Sequence, residues 1–214
     1  MTSGSPQIGR FISFEGGEGA GKSTQIRLLG EALEKAGQAV LHTREPGGSP
    51  GAEEIRKLLV TGEGDRWTGL TEVLLHFAAR SDHLERVVRP ALNEGKWVLC
   101  DRFVDSSMAY QGIAQALGKS VIRDLTHLVV NTTMPDLTLI LDLPVADGLA
   151  RAGARGEGED RYEKMGQAFH ETLRQAFLDI ASDEPHRCKV IDATSDIDTV
   201  HRAIWAETAA RFGL

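Results

Sequence analysis

The chain has only two cysteines, Cys100 and Cys188, too few for a disulfide framework. It has no C-x-x-C pair, and its seven histidines are scattered without an H-x-x-x-H spacing, so no zinc motif is present. Cys100 closes an apolar run and reads as a buried core thiol. Positive charge is in deficit: 24 Lys and Arg against 31 Asp and Glu leave a net charge of −7. That balance argues against broad binding to nucleic acid or to an anionic membrane. No apolar stretch reaches the roughly 18 residues of a membrane span. Met1 to Gln7 is small and polar, without the apolar core of a signal peptide. Repeats, low-complexity blocks and long linkers are missing too. What remains is an ordinary soluble composition, 41% hydrophobic and 26% charged, in 214 residues that suit one domain with a sizeable core. Residues 1–9 are expected to be a disordered tail and 10–214 a single domain, in the cytoplasm.

Against these absences stands one dense motif. Gly16-Gly17-Glu18-Gly19-Ala20-Gly21-Lys22-Ser23-Thr24 fits the phosphate-binding pattern G-x-x-x-x-G-K-[ST]. Its flanks agree. Phe11-Ile12-Ser13-Phe14 predicts a buried strand, and Ile26, Leu28, Leu29, Ala32, Leu33 and Ala36 form one apolar stripe of a helix that Gly37 would end. Glycines let backbone N–H groups converge on phosphate oxygens, and the helix N-terminus adds its partial positive charge. Lys22 then reaches the β- and γ-phosphates of ATP, and Ser23 can ligate Mg²⁺. Two positions are unusual. A carboxylate at Glu18 facing the triphosphate would repel it by about 4 kcal/mol per close pair, so Glu18 is expected to point elsewhere, towards a hydroxyl donor or a metal-bound water. Gly19 supplies no cation, so the charge that neutralises the transferring group must come from another segment.

Five apolar runs predict strands: Phe11–Phe14, Ala39–Thr43, Trp97–Cys100, Leu137–Leu141 and Lys189–Ile191, with helical patterns between them. The alternation predicts an α/β fold of the P-loop NTPase type, a three-layer αβα sandwich on a five-stranded parallel sheet. Functional residues then belong at the carboxyl ends of the strands, and four of those ends are chemically loaded: the phosphate loop, Arg44-Glu45-Pro46-Gly47-Gly48, Asp101-Arg102 and Asp142. Asp101 suits the Mg²⁺ shell and Arg102 a two-pronged phosphate contact, though a strand-end ion pair would look the same. Arg44 is either a second phosphate clamp or an exposed arginine in a turn. Leu70–Asn93 is a long helical pattern that Pro90 kinks or shortens. On it Phe77 and Arg80 share a face, which suits a nucleobase or, for Phe77, simply the core. Ser106, Ser107, Tyr110 and Gln111 form a polar cluster fit for sugar and base recognition, or a helix start. The glycine-rich, charged stretch from Arg151 through Arg155 to Arg161 is either a mobile lid, at about 150–161, or a solvated loop.

Taken together these motifs resemble the thymidylate kinase family, over nearly the whole chain from Arg10 to about Asp192. The resemblance rests on Phe-Ile-Ser-Phe-Glu-Gly-Gly-Glu-Gly-Ala-Gly-Lys-Ser-Thr-Gln, Arg44-Glu45-Pro46-Gly47-Gly48, Leu-Leu-His-Phe77-Ala-Ala-Arg80, Asp101-Arg102 through Ser106 to Ala109-Tyr110-Gln111-Gly112, and Pro135-Asp136-Leu137-Thr138. It implies ATP-dependent phosphorylation of dTMP. Glu18 would contact the 3′-hydroxyl of dTMP, Phe77 would stack on thymine and Arg80 would hydrogen-bond it. Arg44 and Arg102 would hold the monophosphate, Ser106 and Gln111 would lie near the base, and Tyr110 near the 2′ position. Asp101 would help place Mg²⁺. Arg151 and Arg155 match the lid arginines of the bacterial subtype, and Arg161 is a weaker match. The family is typically homodimeric. Nearby alternatives are a kinase for another small acceptor and a non-catalytic nucleotide-binding switch.

Overall fold

β1 (Arg10–Gly16) is the central strand of a five-stranded parallel sheet whose order is β2-β3-β1-β4-β5, with β2 at Val40–Arg44, β3 at Trp97–Asp101, β4 at Leu137–Asp142 and β5 at Cys188–Asp192. The computed structural model describes residues 9–61, 66–154, 162 and 165–214. The expected tail therefore lies outside the described residues, except for Gly9.

Strand alternation divides the core. Ile12 and Phe14 of β1 and Trp97 and Leu99 of β3 point to one face, where α1 (Lys22–Lys35) and α9 (Ile197–Phe212) cover them. Phe11, Val98 and Cys100 point to the other face, beneath α3 (Gly69–His83) and α6 (Lys119–Val129). Burial on both faces is why β1, β3 and β4 read as nearly continuous apolar runs, whereas the edge strands β2 and β5 are only partly buried. The register sets the functional edge: Phe14 pairs with Asp101, and Arg44 with Asp101, so the loop after β1 and the carboxyl ends of β2 and β3 lie side by side.

The remaining helices are α2 (Pro50–Val60), α4 (Arg89–Asn93), α5 (Val104–Ser107), α7 (Val145–Gly153) and α8 (Gln167–Asp183). Two π-helical stretches shape the site. Pro90 neither ends nor separates the helix running from α3 to α4. Instead Leu84–Val88 widens into a π turn, in which the Arg89 N–H reaches back to the Leu84 carbonyl. Pro90 has no N–H to offer the preceding turn, and the wider register absorbs that loss. The second π stretch, Met108–Ala114, directly follows α5. Among the described residues no helix is long and apolar enough to cross a membrane.

Beneath the sheet edge lies a buried polar chain. Ser13 Oγ meets Thr138 Oγ1 at 2.7 Å, and Arg187 Nη1 donates to Thr138 Oγ1 at 2.6 Å. Arg187 also grips Asp105 with two bonds of 2.7 and 2.8 Å. The pair ties β5 to α5, 82 residues away. A buried carboxylate stripped of its cation is expensive. Arg187→Ala should therefore lower unfolding free energy by roughly 3–5 kcal/mol, measured by urea denaturation. Replacing both partners, Arg187→Met with Asp105→Leu, should cost less than the single change. If the double variant is the less stable of the two, the pair is not the source of the loss.

Candidate active site

The loop between β1 and α1 wraps its own lysine. Lys22 Nζ donates to the carbonyls of Gly16 and Gly17 at 3.2 and 3.0 Å, and burial lowers its pKa. The glycine at position 19 is forced twice over. Its φ is +69°, and a Cβ there would sit 2.0 Å from the carbonyl oxygen of Gly148 on α7.

Glu18 turns away from the loop amides. Its Oε1 accepts from Arg102 Nη2 at 2.8 Å and from the Tyr110 hydroxyl at 2.9 Å. Burial opposes the charge, yet Arg102 and then Lys22 and Tyr110 overcome it and hold the carboxyl at about 2. Glu18 is thus an anion aimed at the groups beyond β3. Arg102 also donates from Nη1 to Gly16 O at 3.1 Å and Ser106 Oγ at 3.2 Å. Its guanidinium lies 5.2 Å from the Tyr110 ring centroid. Ser23 and Asp101, the two expected metal ligands, come together, with Ser23 Oγ donating to Asp101 Oδ2 at 3.1 Å.

These groups line one cleft of about 370 Å³, large enough for a nucleotide-sized ligand. Arg44 stands at its rim, more than half exposed and held by Glu53 at 3.2 Å. Arg80 lies deeper, 3% exposed. Glu45 accepts from its Nε at 2.7 Å and Ser107 from its Nη2 at 3.1 Å. The guanidinium lies 4.5 Å from the Phe77 ring centroid and 5.2 Å from that of Phe103. Its Nη1 is buried with no hydrogen-bond partner. Glu45 in turn receives His83 Nδ1 at 3.0 Å, and His83 Nε2 lies 2.7 Å from Thr43 Oγ1. The Glu45 carboxyl is buried, which opposes its charge, but Arg80 and His83 keep its pKa low. The carboxylate can only accept, so Nδ1 carries the proton.

Of the expected site residues, the structure brings Glu18, Lys22, Ser23, Arg44, Arg80, Asp101, Arg102, Ser106, Tyr110 and Gln111 to the cleft wall. Phe77 is placed differently. Its ring is 2% exposed and packs among Phe11, Val73 and Phe103. The neighbouring His76 faces the cleft instead, with Nε2 3.5 Å from the Tyr162 hydroxyl. His76 is one helical turn before Arg80 and so shares its face, a signal the sequence did carry. Phe77 and Arg80 do meet as their spacing predicts, but as a ring under a guanidinium. Gln111 donates to Glu72 at 2.8 Å. Arg151 lies exposed on the last turn of α7, while Arg155 and Arg161 lie outside the described residues. The sequence reading missed Glu45, which anchors Arg80, and Glu15, which is buried under Arg102. Asp142 is taken by Arg174 at 2.7 and 2.9 Å.

A phosphate loop opening onto an arginine-lined cleft at the carboxyl edge of a parallel sheet defines a P-loop nucleotide phosphotransferase. A family model described as Thymidylate kinase matches residues 14–204. Thymidylate kinases of Caulobacter vibrioides and Magnetococcus marinus are 58% and 51% identical to this chain, covering 96% and 95% of it and 99% and 97% of themselves. The crystal structure of thymidylate kinase from Ehrlichia chaffeensis superposes with a TM-score of 0.76 at 35% identity, covering 94% of this chain and 99% of that one. The chain belongs to the thymidylate kinase family.

The carboxyl of Glu15 is displaced upwards. Burial, then the nearby Asp105, push it up to about 8 from an ordinary 4.5. Between those values the folded chain keeps a proton that the unfolded chain has released, so this group makes stability fall as pH rises through the window. Glu15→Gln should flatten the decline in unfolding free energy between pH 5 and 8. Denaturation curves with the same pH slope for both proteins would show that the group is not displaced.

Proposed function

We propose that the chain transfers the γ-phosphoryl group of ATP to dTMP, giving ADP and dTDP. Family membership supports the activity. The observation that supports the acceptor side is Arg80, which lines the cleft with its guanidinium fixed by Glu45, Ser107 and the Phe77 ring. A fork of donors held in this way suits a carbonyl or ring nitrogen of a base. His76, on the same helix face, is placed beside the base. Phe77 acts through the Arg80 it underlies.

The transfer needs positioning and charge more than covalent chemistry, because the acceptor phosphate is already a nucleophile. Lys22 exchanges its loop carbonyls for phosphate oxygens of ATP. Arg102 and Arg44 clamp the acceptor phosphate from opposite sides of the β2–β3 edge, in line with the donor. Glu18 takes the 3′-hydroxyl, with Tyr110 beside it at the sugar and Ser106 and Gln111 nearer the base. Among the described residues no group of three or more His, Cys, Asp or Glu is placed to hold a metal. Ser23 and Asp101, brought together at 3.1 Å, would hold a divalent ion such as Mg²⁺, which would supply neutralising charge to the triphosphate. Arg151 and Arg155 supply the cations that Gly19 does not.

Assembly and compartment belong to the same reading. Leu70 and Leu74 on α3 are 51% and 48% exposed, and Leu128 on α6 is 77% exposed. We place a homodimer interface on these neighbouring helices, and Leu128→Glu should halve the mass measured by light scattering. Both cysteines are free and buried, which suits the reducing cytoplasm where ATP is supplied.

ADP release assayed against dTMP, dUMP, other nucleoside monophosphates and nucleosides tests the activity. The expected result is the highest kcat/KM for dTMP, with Arg80→Ala raising its KM about 10- to 100-fold while the KM for ATP stays in place. A strong preference for another acceptor would refute the assignment. In the same assay Arg151→Ala or Arg155→Ala should lower kcat by roughly 10²–10³ with little change in dTMP KM. Unchanged kcat in both variants removes the lid from the mechanism.

A further inference from the structure

Glu15, next to last in β1, is fully buried, and no step of the transfer uses it. Its side chain shares the strand face of Phe11 and Ser13 and lies under the turn that follows β3. Oε1 accepts from the amides of Phe103 and Ser106 at 2.8 and 3.3 Å, and Oε2 lies 2.6 Å from Ser106 Oγ. Ser106 Oγ is in turn the acceptor for Arg102 Nη1 at 3.2 Å. The Arg102 backbone has φ +66°, a left-handed conformation that a non-glycine residue holds when its surroundings fix it. The amides that Glu15 fixes lie one and four residues further on. One carboxyl therefore restrains both the backbone beside Arg102 and the hydroxyl on which its guanidinium rests.

The charged and titratable groups around Glu15 are Asp105 and Arg102 after β3, Lys22 in the loop, and the thiols of Cys100 on β3 and Cys188 on β5. Of the cations among them, Arg102 is engaged by Glu18 at 2.8 Å and Lys22 by the carbonyls of Gly16 and Gly17. The pull of Arg102 on the Glu15 proton is outweighed by burial, which opposes a second anion there.

We propose that Glu15 is a positioning residue for the acceptor clamp, acting through Ser106 on Arg102 with its carboxyl protonated, so that Arg102 keeps its charge for the acceptor phosphate. This rests on the reading of Arg102 as that clamp. A neutral Glu15 donates its O–H to Ser106 Oγ, which still accepts from Arg102, and its carbonyl oxygen still receives the Phe103 amide. The Ser106 hydroxyl then keeps its own proton to offer into the cleft. An ionised Glu15 would instead take the Ser106 proton and compete with the incoming phosphate for Arg102. Burial and Asp105 favour the neutral form, holding the carboxyl at about 8. Acceptor binding should thus weaken as pH climbs past that value.

The test is steady-state kinetics from pH 7 to 9.5, where a phosphate monoester with a second pKa of about 6 is already a dianion. In the unaltered enzyme the KM for dTMP should hold to about pH 8 and then rise about tenfold, the size set by roughly one pKa unit of coupling. At pH 7 Glu15→Ala should raise that KM about tenfold, with the KM for ATP unmoved. Glu15→Gln, neutral at every pH, should bring it back and abolish the rise above pH 8. Should Glu15→Ala fail to fold, Ser106→Ala cuts the same link and should raise the KM for dTMP likewise. An unmoved KM in the Ala variant overturns the positioning role. Gln and Ala variants equally impaired at pH 7, or a rise above pH 8 that survives in Glu15→Gln, overturns the protonated state. Arg102→Ala run in parallel separates the two readings: if it leaves the KM for dTMP unchanged, the clamp itself is wrong and Glu15 has nothing there to position.

Discussion

The 2.8 Å ion pair between Glu18 and Arg102 joins the two halves of the site. Glu18 belongs to the phosphate loop, and Arg102 to the strand end where we place the acceptor clamp. Their separation is set by the sheet. β1 and β3 are hydrogen-bonded neighbours, Phe14 is in register with Asp101, and the Arg102 amide donates to the Phe14 carbonyl at 2.9 Å. A slip in that register would move every side chain of β3 to the opposite face and part the two substrates. The geometry needed for in-line transfer is thus inherited from backbone hydrogen bonds in the most buried part of the molecule.

The two buried cleft arginines are pre-set in the same manner. Arg80 is fixed by Glu45, Ser107 and two aromatic rings, and Arg102 by Glu18, Ser106 and a loop carbonyl. A long cationic side chain loses considerable rotamer freedom on ordering. Here that loss falls on folding instead of on substrate binding, which is what preorganisation contributes to affinity and to rate. Each carboxylate anchor also lowers the local positive charge, so the anchors must be few. Glu45 is shared with His83, and Glu18 with Tyr110.

Some of this was legible in the sequence. All five strands were, although only β1, β3 and β4 are covered on both sides and apolar along most of their length. The phosphate loop and its outward-turned carboxylate were legible because electrostatics forbids the alternative. The contact between Phe77 and Arg80 followed from their spacing, yet the side of the helix facing the cleft did not. His76 and Phe77 are adjacent, either can neighbour Arg80, and the choice depends on how Val73 and Leu84 seat the helix on the sheet. Asp105 and Arg187 carry no local signal, since their pairing exists only once β5 lies beside β4. Glu15 left none either, since the predicted strand stops at Phe14 and only the observed one runs on to Gly16.

Gly19 ties the phosphate loop to α7 by packing. A side chain there would need a left-handed backbone and would strike the Gly148 carbonyl at 2.0 Å, while a Cβ on Gly148 would strike the Glu18 carbonyl at 2.4 Å. Two glycines therefore let α7 lie directly on the phosphate loop. That approach denies position 19 any cation of its own. It also brings to the loop the helix that carries Arg151, one turn beyond Gly148 and on the same face. The charge excluded from the loop by contact with α7 is carried by α7 itself.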